Sequence, residues 1–392
     1  MLSDLGSVPS DEILTLMQMH REDPRRDKID QTVGVYRNEL GQTPVMQAVK
    51  AAEYKIWQDQ TSKSYTGLLG DPEFLEVMQA LVLGPEAPPC TAAAVPGGSG
   101  ACRQAFELIR QATPGARVYV SDPTWANHTT MLAHTGLARE TYRFRDPATG
   151  GLNFDGMMQD LGTARAGDVV LLHGCCHNPT GISLTRTQWR ALADRMAKNG
   201  LVGMIDLAYL GFGDGLEEDA WGTRHLAETL DECLIAVSCS KNFGLYRERA
   251  GALLVTARNP ALLAHTREVL AYLNRQAYSF PPDHGARIVT SILKDPALRE
   301  VWTQELHGIR NSIAALRLQL CNAFAEKTGT RRFDYIREHK GMFSCLGATP
   351  EQVRTLRAKH GIYMVTDSRL NFASLSQQNV ERIVDAVTDV GI

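Results

Sequence analysis

The chain is 392 residues long and 44% hydrophobic, enough for an extensive buried core and inconsistent with a small disulfide-stapled scaffold. Its 41 basic and 44 acidic residues leave a formal net charge of -3, which excludes a global positive field for nucleic acid or anionic lipid and leaves small molecules or protein surfaces as partners. No run approaches the roughly 18 apolar residues of a membrane span, and residues 1–26 lack a basic segment followed by an apolar one, so a soluble cytoplasmic protein without membrane contact is expected.

Along the chain, the run Pro96-Gly97-Gly98-Ser99-Gly100-Ala101 places small residues before a helical stretch over 101–111. Apolar, β-branched runs follow at Arg117–Val120, Asp168–His173, Leu201–Asp206, Cys233–Ser238 and Gly251–Thr256, with helix-length stretches between most of them. One such stretch carries clear helical signals. Thr185 and Gln188 have capping-box spacing, Trp189, Leu192 and Met196 form an apolar stripe, and Gly200 suits the C-terminal cap. Alternating strands and helices predict an α/β fold, a mostly parallel sheet with helices on both faces. Beyond it, Leu306, Ile309, Ile313, Leu316 and Leu320 keep helical spacing over one long helix, and Val380, Ile383, Val384 and Val387 describe an amphipathic helix near the end. This C-terminal part reads as a second, smaller α+β domain, and no Gly/Ser linker or repeat separates it from the first. The eight cysteines include the adjacent pair Cys175-Cys176 but no CxxC, so reduced thiols are expected, without a disulfide framework or a zinc site.

Polar residues cluster just past the strands. Trp125 follows Val118–Val120, Asn178 follows the run ending at His173, Asp206 ends its strand with Tyr209 just beyond, and Lys241 lies past Cys233–Ser238. In an open parallel sheet the carboxyl ends share one crevice, where ligands bind. A lysine in such a crevice can lose its proton and form a Schiff base, although alone Lys241 reads as a solvated surface amine. Asp206, at a neighbouring strand end, changes that reading: a carboxylate there can pair with a protonated pyridine nitrogen, as pyridoxal-phosphate chemistry requires. Its other reading is a structural strand-end cap. The GGSG run offers a hydroxyl and backbone N–H groups to a phosphate, and it lacks the GKS/T ending of a P-loop and the GxGxxG spacing of a dinucleotide site. Ser238, Ser240 and Arg249 add donors for a dianion, with a surface salt bridge as the other reading of Arg249.

The run Ser238-Cys239-Ser240-Lys241-Asn242-Phe243-Gly244-Leu245-Tyr246, with Arg249 after it, resembles the cofactor-lysine motif of the fold type I aminotransferases, in the subgroup of aspartate and aromatic-amino-acid aminotransferases. The likeness extends through Gly34-Val35-Tyr36, Lys63-Ser64-Tyr65-Thr66-Gly67, Trp125-Ala126-Asn127-His128, the stretch from His173 to Gly181, Asp206-Leu207-Ala208-Tyr209 and Ser368-Arg369-Leu370-Asn371. It implies a large cofactor-binding domain over 44–308, a small domain built from 1–43 and 309–392, and pyridoxal 5'-phosphate (PLP) bound covalently through Lys241. By the same resemblance Asp206 would pair with the pyridinium nitrogen, Asn178 and Tyr209 would bond the ring hydroxyl oxygen, and Trp125 would stack on the ring. Gly98, Ser99, Ser238 and Arg249 would hold the phosphate, joined by Tyr65 of the partner subunit in a homodimer with shared sites. Arg369 would bind the substrate α-carboxylate beside Trp125 and Asn178, and the backbone at Gly34 would close over the substrate. Tyr209 would join Lys241 and Asp206 in catalysis, while His128 and His173 would support Asp206 from behind; as isolated histidines both read as structural. Cys175-Cys176 belongs to the motif without being a ligand, so no metal is expected.

Arg275, within Leu273-Asn274-Arg275-Gln276-Ala277-Tyr278-Ser279-Phe280, matches the family arginine that crosses from the partner subunit to the side-chain carboxylate of aspartate or glutamate. Transamination alternates two substrates in one site, so an aromatic enzyme also needs this arginine for glutamate and 2-oxoglutarate, and its presence does not decide between them. Ser99, where aspartate enzymes usually carry Thr, and the context of Arg275 resemble the bacterial aromatic aminotransferases. Ala126, Leu210 and Ser374 depart from the usual Pro, Gln and Gly. Ala126 loosens the turn behind Trp125, and Leu210 and Ser374 are expected to border the site. The resulting reading is a PLP-dependent aminotransferase moving the amino group of Tyr, Phe or Trp, and of Asp, to 2-oxoglutarate. A strict aspartate aminotransferase is the nearest alternative, whereas Lys241, Arg369 and Arg275 together disfavour a PLP lyase, a decarboxylase or a PLP-binding regulator.

Overall fold

The computed structural model describes residues 2–6 and 11–392; Met1 and residues 7–10, part of the stretch assigned above to the smaller domain, lie outside the described residues. The strands are β1 (Ile29–Asp30), β2 (Cys90–Pro96), β3 (Arg117–Asp122), β4 (Ala138–Arg143), β5 (Val169–His173), β6 (Val202–Leu207), β7 (Glu232–Ser238), β8 (Ala250–Ala257), β9 (Phe343–Cys345), β10 (Ile362–Tyr363) and β11 (Arg369–Asn371). A central sheet runs in the order β2-β8-β7-β6-β5-β3-β4 and is parallel except for the pairings of β8. Strands β5 to β8 are buried almost throughout, which is why they read as continuous apolar runs rather than alternating ones. Periodicity missed β2 and β4. The alanine-rich β2 has weak intrinsic strand preference and owes its conformation to pairing with β8, while the polar β4 lies exposed at the sheet edge.

The helix Arg186–Lys198 begins on the expected capping box between Thr185 and Gln188, and Gly200 follows it with φ +64. The long helix spans Pro296–Thr328, capped by Asp295, whose side chain accepts from the backbone N–H groups of Ala297 and Leu298. It buries Leu306, Ile313, Leu316 and Leu320, and the helix Gln377–Asp389 packs on it through Val380, Ile383, Val384 and Val387. The two chain ends meet, because β1 pairs with β10 and Leu16 packs on Tyr363 and Val365; β9 and β11 form a further two-stranded sheet. Among the described residues no helix is long and apolar enough to cross a membrane, and all eight cysteines are free.

The long helix also supports the turn that carries Lys241. Trp302 is wholly buried, donates from Nε1 to the Asn242 carbonyl oxygen at 2.7 Å, and stacks on Phe243 with ring centres 4.4 Å apart. Trp302→Ala removes this packing and strands a buried carbonyl, so a loss of about 3–5 kcal/mol is expected. The check is the shift in the denaturant midpoint, with Trp302→Phe losing less because it keeps the stacking.

Candidate active site

The direction of the strands decides what meets at the sheet edge. In register, His173 at the end of β5 lies beside Asp206 in β6, and Ser238 at the end of β7 lies beside Gly251 near the start of β8. Because β8 runs antiparallel to its neighbours, its entry, preceded by Arg249, reaches the same edge as the carboxyl end of β2, which is followed by Gly97, Gly98 and Ser99. Trp125 and Asn178 follow β3 and β5, the two strands between which the sheet order reverses, where open α/β sheets form their ligand crevice. These side chains line one cavity of about 240 Å³ together with Tyr209, Lys241, Ser240 and, from the chain ends, Ile13, Gly34, Phe343 and Arg369.

The small residues after β2 are the first turn of the helix Gly97–Ala112 itself, not a loop before a helix starting at residue 101. Their N–H groups are the unpaired donors of that turn, which suits them to an anion. Gly97 has φ +68, and a Cβ there would come within 2.7 Å of Arg249 Nη2, so only glycine lets the guanidinium close over the turn. Arg249 donates to Ser240 Oγ and to the Tyr246 carbonyl oxygen, both at 3.1 Å, so among the described residues its charge is left without an acid.

Asp206 and Lys241 are the buried charges opposite. Burial by itself would raise the Asp206 pKa, but the hydrogen bond from His128 Nε2 to Oδ2 at 2.9 Å, together with the nearby Lys241 amine, outweighs it and holds the carboxyl below its usual range. Cys102 adds a long thiol contact to the same oxygen at 3.8 Å. Oδ1 is buried and has no hydrogen-bond partner among the described residues. Burial lowers the Lys241 pKa, Asp206 opposes the shift, and Arg249 and Arg369 reinforce it. Burial also raises the pKa of the Tyr209 hydroxyl, which lies 3.5 Å from Asn178 Nδ2. Arg369 donates to Asn178 Oδ1 at 3.2 Å and to the Thr32 carbonyl oxygen at 2.6 Å, and it stacks 4.3 Å over the ring of Phe343. Its Nε is buried and has no hydrogen-bond partner among the described residues.

Of the expected residues, Gly34, Gly98, Ser99, Trp125, His173, Asn178, Asp206, Tyr209, Ser238, Lys241, Arg249 and Arg369 line the cavity, and His128 stands directly behind Asp206. Tyr65 and Arg275 do not: both are exposed, Tyr65 at 84%, outside the cavity of their own chain. His173 makes no hydrogen bond to Asp206. Its Nδ1 accepts from the Asn178 backbone N–H at 3.3 Å, and burial first, then His128, lower its pKa to about 3, so it is a neutral wall. Contrary to expectation, Leu210 and Ser374 do not border the cavity. Leu210 is buried in the core and Ser374 faces Gln31 and the Asp30 carbonyl. Phe343, Ile13 and Cys102 went unnoticed because apolar side chains and a single thiol carry no motif. Gly34 is where it is for Phe343, whose ring a Cβ would approach to 2.7 Å.

The donor set fits PLP. An ionised carboxylate with an unpartnered buried oxygen suits a protonated ring nitrogen, and an arginine without an acid beside a helix start and two serines suits a dianionic phosphate. Cys102, His128 and Asp206 bring possible metal-ligating atoms within 4.8 Å of one another, but the His128–Asp206 hydrogen bond already closes that cluster.

The sequence model for aminotransferase class I and II matches residues 26–387. The aromatic-amino-acid aminotransferase of Paracoccus denitrificans is 50% identical over 394 residues, covering 100% of both chains. A solved structure described as an aromatic amino acid aminotransferase with 3-indolebutyric acid has a TM-score of 0.98 at 49% identity, over 100% of each chain. The aromatic-amino-acid aminotransferase of Burkholderia pseudomallei, solved covalently bound to pyridoxal phosphate, has a TM-score of 0.95 at 35% identity, over 99% of each chain. Likeness at this level over the full length means that the chain belongs to the class I and II aminotransferase family, with the fold type I architecture and the transaminase activity of that family.

Proposed function

We propose that this enzyme transfers the amino group of phenylalanine, tyrosine and tryptophan, and also of aspartate, to 2-oxoglutarate, with PLP held at Lys241. The observation that carries the reading is a buried amine and a buried, half-unpartnered carboxylate facing one cavity that also holds an arginine for a carboxylate, Arg369. The aromatic relatives support the donor class. Bound there, PLP would supply an electron sink for the pair left behind when a proton leaves the substrate Cα. Asp206 Oδ1 would accept from the ring nitrogen and keep it charged, with His128 holding the carboxylate ionised. Asn178 and Tyr209 would donate to the ring hydroxyl oxygen, Trp125 would cover the ring, and Gly98, Ser99, Ser238 and Arg249 would take the phosphate. Arg369 would orient the substrate through its α-carboxylate, so that the Cα proton faces Lys241 Nζ. Lys241, whose amine the incoming substrate amino group would set free and whose pKa burial lowers, would then take that proton and deliver it to the other side of the transferring group.

The cavity is lined from both chain ends and from the middle of the chain, which supports a small domain of 1–43 and 309–392 closing Gly34, Phe343 and Arg369 over a large domain of 44–308. A homodimer would complete each site with Tyr65 and Arg275 of the partner subunit, and their exposure outside their own cavity supports this. The free cysteines agree with a cytoplasmic location. The test is kcat/KM for Phe, Tyr, Trp and Asp with 2-oxoglutarate held constant. Turnover of all four supports the reading, and turnover of aspartate alone replaces it with a strict aspartate aminotransferase.

A further inference from the structure

Away from the active site lies a concavity of about 380 Å³, walled by residues 212–214, one face of the long helix and residues 337–341 at the end of the short helix Tyr335–Glu338. It shares no lining residue with the active-site cavity. Arg310, Arg317, Arg337 and Lys340 line it against a single carboxylate, Asp214, in a chain whose net charge is -3. Two of these cations are already paired: Lys340 Nζ lies 2.9 Å from Asp214 Oδ1, and Arg337 Nε lies 3.1 Å from Asp334 Oδ1. Arg310 and Arg317 have no carboxylate within 4.0 Å among the described residues.

Arg317 is the more informative of the two. It is 3% exposed, and its guanidinium donates only to neutral groups, namely Ser344 Oγ, the Gly341 carbonyl oxygen at 2.7 Å and the Phe343 carbonyl oxygen at 3.2 Å. Such bonds satisfy N–H groups, and the Phe372 ring, 4.1 Å from the guanidinium, offsets part of its charge, but no carboxylate within 4.0 Å among the described residues neutralises it, which is costly in a buried position. Burial accordingly pulls its pKa down to about 10, with Cys176 and Cys321 opposing. A walled concavity with low-dielectric sides focuses the field of such charges on whatever enters it.

We propose that this cavity binds a compact oxyanion carrying two or more negative charges, phosphate or carboxylate, gripped by Arg310 and Lys340 above the buried charge of Arg317. A concavity of this size, walled on three sides, suits a small molecule rather than an extended polyanion. Lys340 would share its ammonium between Asp214 and the ligand, and Arg310 would make the one new charge-assisted contact that no protein group now supplies.

The test is calorimetric titration of the cofactor-loaded protein carrying Arg369→Leu and Arg275→Leu, which together remove both carboxylate grips proposed for the active site. Inorganic pyrophosphate is the probe in one arm and citrate in the other, and the arm that responds identifies the head group. Binding in at least one arm is expected. Added to this background, Arg310→Ala and Lys340→Ala should each weaken it about ten- to a hundredfold, the loss of one charge-assisted hydrogen bond. Arg310→Lys keeps the charge and should retain most of the affinity. In the otherwise unaltered enzyme, Arg310→Ala should leave kcat/KM within about twofold, as for a surface charge remote from the chemistry. Arg317 is left intact because it holds the carbonyls of Gly341 and Phe343. Absence of binding in both arms at about 10 mM probe, a level that would detect millimolar affinity, or affinity indifferent to Arg310 and Lys340, overturns the assignment.

Discussion

Lys241→Ala is expected to leave a folded protein whose single-turnover rate falls by at least the factor of about 10²–10⁴ that a positioned base contributes. No neighbour can replace the amine. Asp206 is held ionised below the usual carboxylate range and is therefore a weak base, and its Oδ2 already accepts from His128. Tyr209 keeps its proton because burial raises its pKa, and the Nδ1 lone pair of His173 is occupied by the Asn178 N–H. Folding should survive, since the Lys241 ammonium contributes a contact 5.3 Å over the Tyr209 ring and, among the described residues, no ion pair within 4.0 Å. Removing it relieves the burial of a charge. The measurement is stopped-flow single turnover with phenylalanine, alongside a thermal melt. Near-wild-type turnover in the alanine variant would remove Lys241 from the mechanism.

Arg275→Leu is expected to separate two kinds of substrate. Arg275 sits in the last turn of the helix Ala261–Ala277, where its buried neighbour Asn274 anchors the helix end by donating to the carbonyl oxygens of Leu68 at 2.8 Å and Ala94 at 3.1 Å. The anchor lies in Asn274, so the leucine substitution should leave the backbone in place. For aspartate or glutamate the guanidinium would face a side-chain carboxylate in a largely desolvated pocket. Losing one partner of such a pair costs about 3–5 kcal/mol, or roughly two to four decades in kcat/KM. Phenylalanine offers no second carboxylate, and its half-reaction should stay within about tenfold, a margin of about 1.4 kcal/mol. Half-reactions must be compared, because steady-state turnover with 2-oxoglutarate would fail for either donor. An equal fall for aspartate and phenylalanine would make Arg275 an interface residue and remove the physical basis of dual specificity.

Much of the active site was legible because its residues follow strand ends, and strands buried on both faces leave an unmistakable apolar rhythm. Once β5, β6 and β7 are placed, His173, Asp206 and Lys241 must share an edge. The resemblance then supplied roles that spacing alone leaves open, Arg369 above all, which lies far along the chain and reaches the cavity only because β11 pairs with β9 beside Phe343. Helix limits written in local chemistry, such as the capping box at Thr185, were equally readable.

Local sequence thus determined the strand rhythm, the caps and the placement of Lys241 and Asp206, because these depend on side-chain periodicity and on hydrogen bonds spanning three or four residues. Tertiary structure alone decided the reversal of β8 that brings Arg249 over Gly97, and the formation of β2 and β4, whose residues lack strand preference and take it from their neighbours. It also decided which face of His173 is free, that Leu210 and Ser374 turn away from the site, and that Phe343 backs Arg369. These outcomes depend on contacts between residues far apart in the chain, whose energies no window of sequence contains. The same holds for Arg317, an ordinary helical arginine in the sequence, which only the packing of residues 341–344 converts into a buried charge without an acid among the described residues.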